Sequence, residues 1–148
     1  MAIVTTSSHS TPPYKPKVTS PAAAQMSLHR RKRPVDPWRP NGWLWEEERR
    51  LDGTRIPVLA VFLAGAECAF KCVFCDLWRG TLDGPTPLGA IPAQLKHALD
   101  AAGPVPAGAA VKLYNSSNFF EPRAVPPHDM PAIEALVEPF DWVIVESH

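Results

Sequence analysis

Cys68, Cys72 and Cys75 fall within the stretch ECAFKCVFCDLW, residues 67 to 78, and they are the only cysteines of the chain. A tight, odd-numbered trio reads as metal binding or thiol catalysis before it reads as a disulfide framework, because reducing compartments keep such thiols free. Four ligands close a structural zinc site or a four-cysteine iron–sulfur cluster, so three thiolates leave one position open. Two chemistries fit that count. One is a zinc site completed by a histidine or by a partner, although none of the five histidines stands at a familiar spacing from the trio. The other is a cubane [4Fe–4S] cluster whose fourth iron stays free to take a small molecule.

The elements that must position this loop follow from local patterning. Residues 1–35 are rich in Ser, Thr, Pro and Ala and end in the basic run HRRKRP, which predicts a disordered tail. The run reads as solvated charge, with a nucleic-acid contact as the alternative. Asp52-Gly53 favours a tight hairpin turn, and Trp43 and Trp45 share one face by period two. The apolar run Val58 to Leu63 suits a strand buried on both sides, ending just ahead of the cysteines. In IPAQLKHALDAAG, Ile91, Leu95 and Leu99 recur at helical spacing, Pro92 suits a first turn, and Gly103 suits the position past the end. His97 lies off that stripe and is expected to face solvent. VKLYNSS (Val111 to Ser117) predicts a second strand, MPAIEALVEP a second helix and DWVIVES a third strand. The order βαβαβ implies parallel strands with right-handed crossovers. Three such strands and two helices leave an open sheet edge, so the chain is expected to be the amino-terminal part of a longer protein.

The 148 residues suffice for one domain and not for two of ordinary size. Lys plus Arg and Asp plus Glu number 15 each, so no global field draws the chain to nucleic acid or an anionic membrane. No apolar run approaches the ~18 residues of a membrane span, and no secretory leader pattern is present, which makes the cytoplasm the expected location and excludes a membrane partner.

The spacing C-x3-C-x2-C after a hydrophobic strand, with the aromatic Phe74 directly before the last cysteine, resembles the signature of the radical S-adenosylmethionine (radical SAM) superfamily. The resemblance implies that Cys68, Cys72 and Cys75 hold three irons of a [4Fe–4S] cluster. It also implies that the fourth iron chelates S-adenosylmethionine, which is cleaved to a 5′-deoxyadenosyl radical that abstracts a hydrogen atom from substrate. Phe74 would supply backbone polar groups and ring surface beside the adenine, and Lys71 or Arg79 would offset the anionic cluster. The stretch YNSSNFFEP is similar to the Ser-Gly-Ser-Phe pattern of the branch containing the elongator catalytic subunit and archaeosine synthase, with Ser-Asn in place of Gly-Ser. VIVESH resembles the Glu-Ser/Thr-Arg/His-Pro strand tip of the same branch. Asn115, Ser116, Ser117 and Glu146 are thereby expected to contact the cofactor, the alternative being helix N-cap positions. The likeness covers roughly Trp38 to His148. It implies a fold made of the first three βα units of a partial (β/α)6 barrel over residues 36–148, preceded by the hairpin. It further implies a reductant such as ferredoxin or flavodoxin as a partner, and tRNA as the expected substrate class.

Overall fold

A computed structural model describes residues 32–72 and 74–147. Of the tail expected over residues 1–35, positions 1–31 lie outside the described residues, as do Val73 and His148.

The hairpin forms where its sequence calls for a turn. Strand β1 (Gly42–Arg49) runs antiparallel to β2 (Arg55–Phe62), with Trp45 opposite Leu59. Asp52 Oδ1 accepts the Thr54 amide at 2.9 Å and the Thr54 hydroxyl at 2.6 Å, and Gly53 takes a positive φ of 86° that a side chain would oppose. The Thr54 hydroxyl, and then its backbone N–H, hold the Asp52 carboxyl below its ordinary pKa. Trp43 and Trp45 share the face packed on the core, as their spacing requires, and the Trp45 indole donates to the Ala102 carbonyl at 3.1 Å.

From β2 onward the chain alternates as the pattern of apolar residues implies. Helix α1 (Ala90–Ala102) crosses to β3 (Ala110–Tyr114), and helix α2 (Met130–Val137) crosses to β4 (Trp142–Val145). The sheet order is β1-β2-β3-β4, with β2, β3 and β4 parallel. This is an α/β architecture with a mixed four-stranded sheet and two helices. Leu59, Val61, Val111 and Leu113 of the sheet meet Ile91, Leu95, Ala98, Ile133 and Val137 of the helices in one core. Each fully buried Leu or Ile there contributes roughly 1.5–3 kcal/mol by leaving water. Val58, Ala60 and Ala110, at the alternate strand positions, are buried as well, so β2 is apolar on both faces.

The helices begin and end by recognisable devices. Gly103 closes α1 at φ 82° and ψ −167°, a positive-φ conformation that glycine adopts without the steric cost of a Cβ. At its start, the Gly89 N–H donates at 2.8 Å to Asp129, a buried carboxylate at the head of α2, which ties the two helix N-termini together. His97 differs from its expected exposure. It is half-buried on α1, with its ring edge-on to Trp43 at 5.3 Å and Arg39 Nη1 2.8 Å from Nδ1, because the hairpin folds over that side of the helix. Among the described residues no helix is long and apolar enough to cross a membrane.

Candidate cofactor site at the carboxyl edge of the sheet

Both stretches singled out for chemistry leave the sheet at the same edge, past Phe62 of β2 and Tyr114 of β3, which pair in register and stack their rings at 5.6 Å. Past β2 the backbone is fastened before the cysteines begin. Gln94, fully buried on the inner face of α1, accepts the Ala64 N–H at 2.6 Å and donates to the carbonyls of Ala64 at 2.8 Å and Pro37 at 2.7 Å. The Thr86 hydroxyl accepts the Ala66 N–H at 2.9 Å and donates to the Ala124 carbonyl at 2.7 Å. Buried backbone groups without such partners would cost about 1–3 kcal/mol each. Between these two clamps, Gly65 passes so close to its neighbours that a Cβ there would lie 3.2 Å from the Ala124 carbonyl oxygen, 3.4 Å from Thr86 Oγ1 and 3.8 Å from the Asn115 carbonyl oxygen.

The far end of the loop returns to the same point. Leu82 donates its N–H to the Gly65 carbonyl at 2.8 Å, and Ala66 and Leu82 form an isolated parallel bridge. Lys32 closes the neck: its ammonium donates to the Leu82 carbonyl at 2.6 Å and pairs with Glu67 at 3.1 Å and Asp83 at 3.4 Å. The Arg33 N–H donates to the Arg79 carbonyl at 2.8 Å. Two residues of the basic run expected in the tail therefore hold the base of the cysteine loop.

Within that neck the loop is open to solvent. Cys68 and Cys75 are half-buried, Cys72 is exposed, and none of the three is in a disulfide. Lys71 takes a positive φ of 48°, and the Cys75 N–H donates to the Cys72 carbonyl at 3.2 Å, so the chain turns back on itself between the second and third cysteines. Phe70 is 68% and Phe74 90% exposed, so neither ring belongs to the core. Arg79 lies over the Trp78 ring at 5.5 Å, while Lys71 is exposed. Among the described residues no three His, Cys, Asp or Glu side chains are gathered as a metal would need. Ligand sets of this kind draw together when a metal binds. As a donor set, three soft thiols on one short loop with a pinned base would suit zinc or an iron–sulfur cluster, and gathering them would require the loop to rearrange between its fixed ends.

The polar turn past β3 is held by the tip of β4. Glu146 Oε2 accepts the N–H of Asn115 at 2.7 Å and of Ser116 at 2.8 Å, and the Glu146 carbonyl accepts the Phe119 N–H at 2.9 Å. Asn115 is fully buried, and with its amide nitrogen turned inward it donates to the Ser117 carbonyl at 2.7 Å and to Glu146 Oε2 at 3.2 Å. Ser117 donates to Glu121 at 3.2 Å, and Asn118 accepts the Phe120 N–H at 3.0 Å. No helix starts at these residues; the next helical turn is Pro127–Asp129, which removes the N-cap alternative for positions 115–118. The structure thus brings Asn115, Ser116, Ser117 and Glu146 into one hydrogen-bonded cluster at the edge that carries the cysteine loop.

The chain matches no protein-family model, no curated protein and no solved structure. What this edge does is therefore argued from its own residues. Sequence reasoning missed Gln94, Thr86 and Lys32, the three side chains that fix the loop. Gln94 carried a signal, a polar residue set between Ile91, Leu95 and Ala98 on the buried stripe of α1; Thr86, inside a turn-rich segment, carried none.

Proposed function

We propose that this chain is part of a radical SAM enzyme, in which Cys68, Cys72 and Cys75 ligate a [4Fe–4S] cluster and the polar edge of the sheet receives S-adenosylmethionine. The observation that carries this reading is the set of three cysteines, none in a disulfide, on one solvent-open loop at the carboxyl end of a parallel strand, with the Asn115 to Ser117 turn and Glu146 gathered at the same edge. When bound, the cluster supplies one electron to the sulfonium of S-adenosylmethionine, giving methionine and a 5′-deoxyadenosyl radical that takes a hydrogen atom from substrate. The chain's own part is positional. The three cysteines, as thiolates, hold the metal, and the pinned neck of Gln94, Thr86 and Lys32 fixes where the loop stands. Phe74 offers its exposed ring to the adenine, and the turn at Asn115, Ser116 and Ser117 lines the cofactor's edge.

The parallel run β2-β3-β4, with β4 exposed on both faces, supports a finer reading of the fold as the first three βα units of a partial (β/α)6 barrel. Shielding a radical from water requires a closed site, which further strands would complete. The electron donor is a ferredoxin or flavodoxin, and tRNA is the substrate class carried by the resemblance of the two strand tips.

The test is anaerobic purification and reconstitution with iron and sulfide. After reduction with dithionite, the expected result is a [4Fe–4S]1+ electron paramagnetic resonance signal that shifts on adding S-adenosylmethionine, is lost in each of Cys68→Ala, Cys72→Ala and Cys75→Ala, and is accompanied by 5′-deoxyadenosine. Colourless protein holding stoichiometric zinc would favour a non-catalytic metal module, and a cluster signal unmoved by S-adenosylmethionine would remove the catalytic reading.

A further inference from the structure

The successive backbone N–H groups of Asn115 and Ser116 converge on a single oxygen, and Ser116 itself stands at a left-handed φ of +58°. A non-glycine residue resists that conformation, and a turn of this kind forms a concavity of N–H groups suited to an anion. Here the anion is already supplied by the chain. Glu146 Oε2 takes both N–H groups, at 2.7 and 2.8 Å, together with the Asn115 amide at 3.2 Å. The backbone carbonyl of the same residue takes the Phe119 N–H at 2.9 Å, so β4 grips the turn past β3 at two separate points.

We propose that Glu146 is a positioning residue, whose carboxylate oxygen Oε2 locks the Asn115-Ser116 turn and is thereby withheld from any ligand. The lock itself is independent of what the protein does; that the turn faces S-adenosylmethionine rests on the function proposed above. The side chain left over for a ligand is Ser116, whose hydroxyl makes no hydrogen bond to another described residue, whereas Ser117 is held by Glu121 and Asn115 is buried. The lock needs an acceptor atom at full reach and does not need its charge. A direct contact to a ligand ammonium or hydroxyl would need the charge as well.

Glu146→Gln and Glu146→Asp in the full chain separate these roles, the first keeping reach without charge and the second keeping charge without reach. Amide hydrogen exchange followed by NMR is expected to show Asn115 and Ser116 protected in wild type and in Glu146→Gln, and exposed by about tenfold or more in Glu146→Asp. The Phe119 amide, held by a backbone carbonyl, stays protected in all three. Titration of S-adenosylmethionine onto reconstituted protein is expected to give affinities within about threefold of wild type for Glu146→Gln and weaker by about tenfold for Glu146→Asp. Equal protection of Asn115 and Ser116 in Glu146→Asp and wild type would overturn the lock. Glu146→Gln that keeps its protection but loses about tenfold in affinity would overturn the withheld role and make Glu146 a ligand contact. If wild-type protein binds no S-adenosylmethionine, the function proposed above fails, and amide exchange alone still decides the lock.

Discussion

Lys112 stands in the middle of β3 with its side chain only 13% exposed, and its ammonium reaches Glu48 and, at 3.5 Å, Glu46, both from the hairpin strand β1. The hydrogen bond to Glu48 raises the Lys112 pKa above its ordinary 10.5, and it outweighs the partial burial that acts the other way. A raised pKa means that the folded chain holds this proton more tightly than the unfolded chain does. The stabilisation is complete below pH 10.5 and is lost as pH rises through the higher folded value. Lys112→Met is therefore expected to lower stability by about 1–3 kcal/mol at neutral pH, because two carboxylates lose a shared partner. The gap between variant and wild type should narrow in urea titrations above pH 10.5; a gap that stays constant would show the ion pair to be energetically idle. Residues of this kind divide by what the sequence can reveal. The shared core face of Trp43 and Trp45 was legible because it lies in spacing along a few positions. Gln94 and Thr86 were not, because the backbone groups they satisfy lie 30 and 38 positions away.

At the scale of elements, the cysteine loop is a solvent-open segment built on a hydrogen-bonded neck, and Gly65 is the tightest point of that neck. Its backbone conformation is ordinary, so glycine is required there by space alone. A methyl group would press on the Ala124 carbonyl oxygen at 3.2 Å, a backbone atom that the Thr86 hydroxyl also binds. Gly65→Ala is expected to destabilise by roughly 1–3 kcal/mol through this overpacking. Gly84→Ala, where a Cβ meets nothing within 4 Å, serves as the control and should change stability little. Urea midpoints at unchanged slope would measure both, and equal midpoints would refute the steric reading. The elements themselves were largely readable: hairpin, two helices and the parallel β2-β3-β4 order follow from turn residues and apolar periodicity. The neck was harder to read. Lys32 looks like one more charge in a basic run until Glu67 and Asp83, brought together by the folded loop, give it a place. An arrangement of the three thiols around a metal was likewise out of reach, since any such arrangement would belong to the metal as much as to the chain.

For the molecule as a whole, the two edges of the sheet are treated differently. β1 carries Glu46, Glu47, Glu48 and Arg49 along one edge, a run of charge that discourages a further strand from pairing there. β4 carries Trp142, Val143, Ile144 and Val145 along the other, with no charge and no proline, and the first three are 51%, 46% and 43% exposed. Arg50 covers one face of Trp142, at 4.6 Å from the ring, and among the described residues no strand pairs with the outer hydrogen-bonding row of β4. Apolar edges with free backbone groups pair with whatever strand they meet, so the chain at high concentration is expected to self-associate through β4. Ile144→Glu should suppress that association. Ile144 lies opposite Lys112 in the β3–β4 register, so the new carboxylate meets a cation on its own face, and the cost in stability should stay within about 1 kcal/mol. Sedimentation velocity over a concentration series would read the outcome. Wild type should gain mass with concentration and Ile144→Glu should not, whereas association that is unchanged in the variant would place the sticky surface elsewhere, with the exposed Phe70 and Phe74 of the cysteine loop next to be tested.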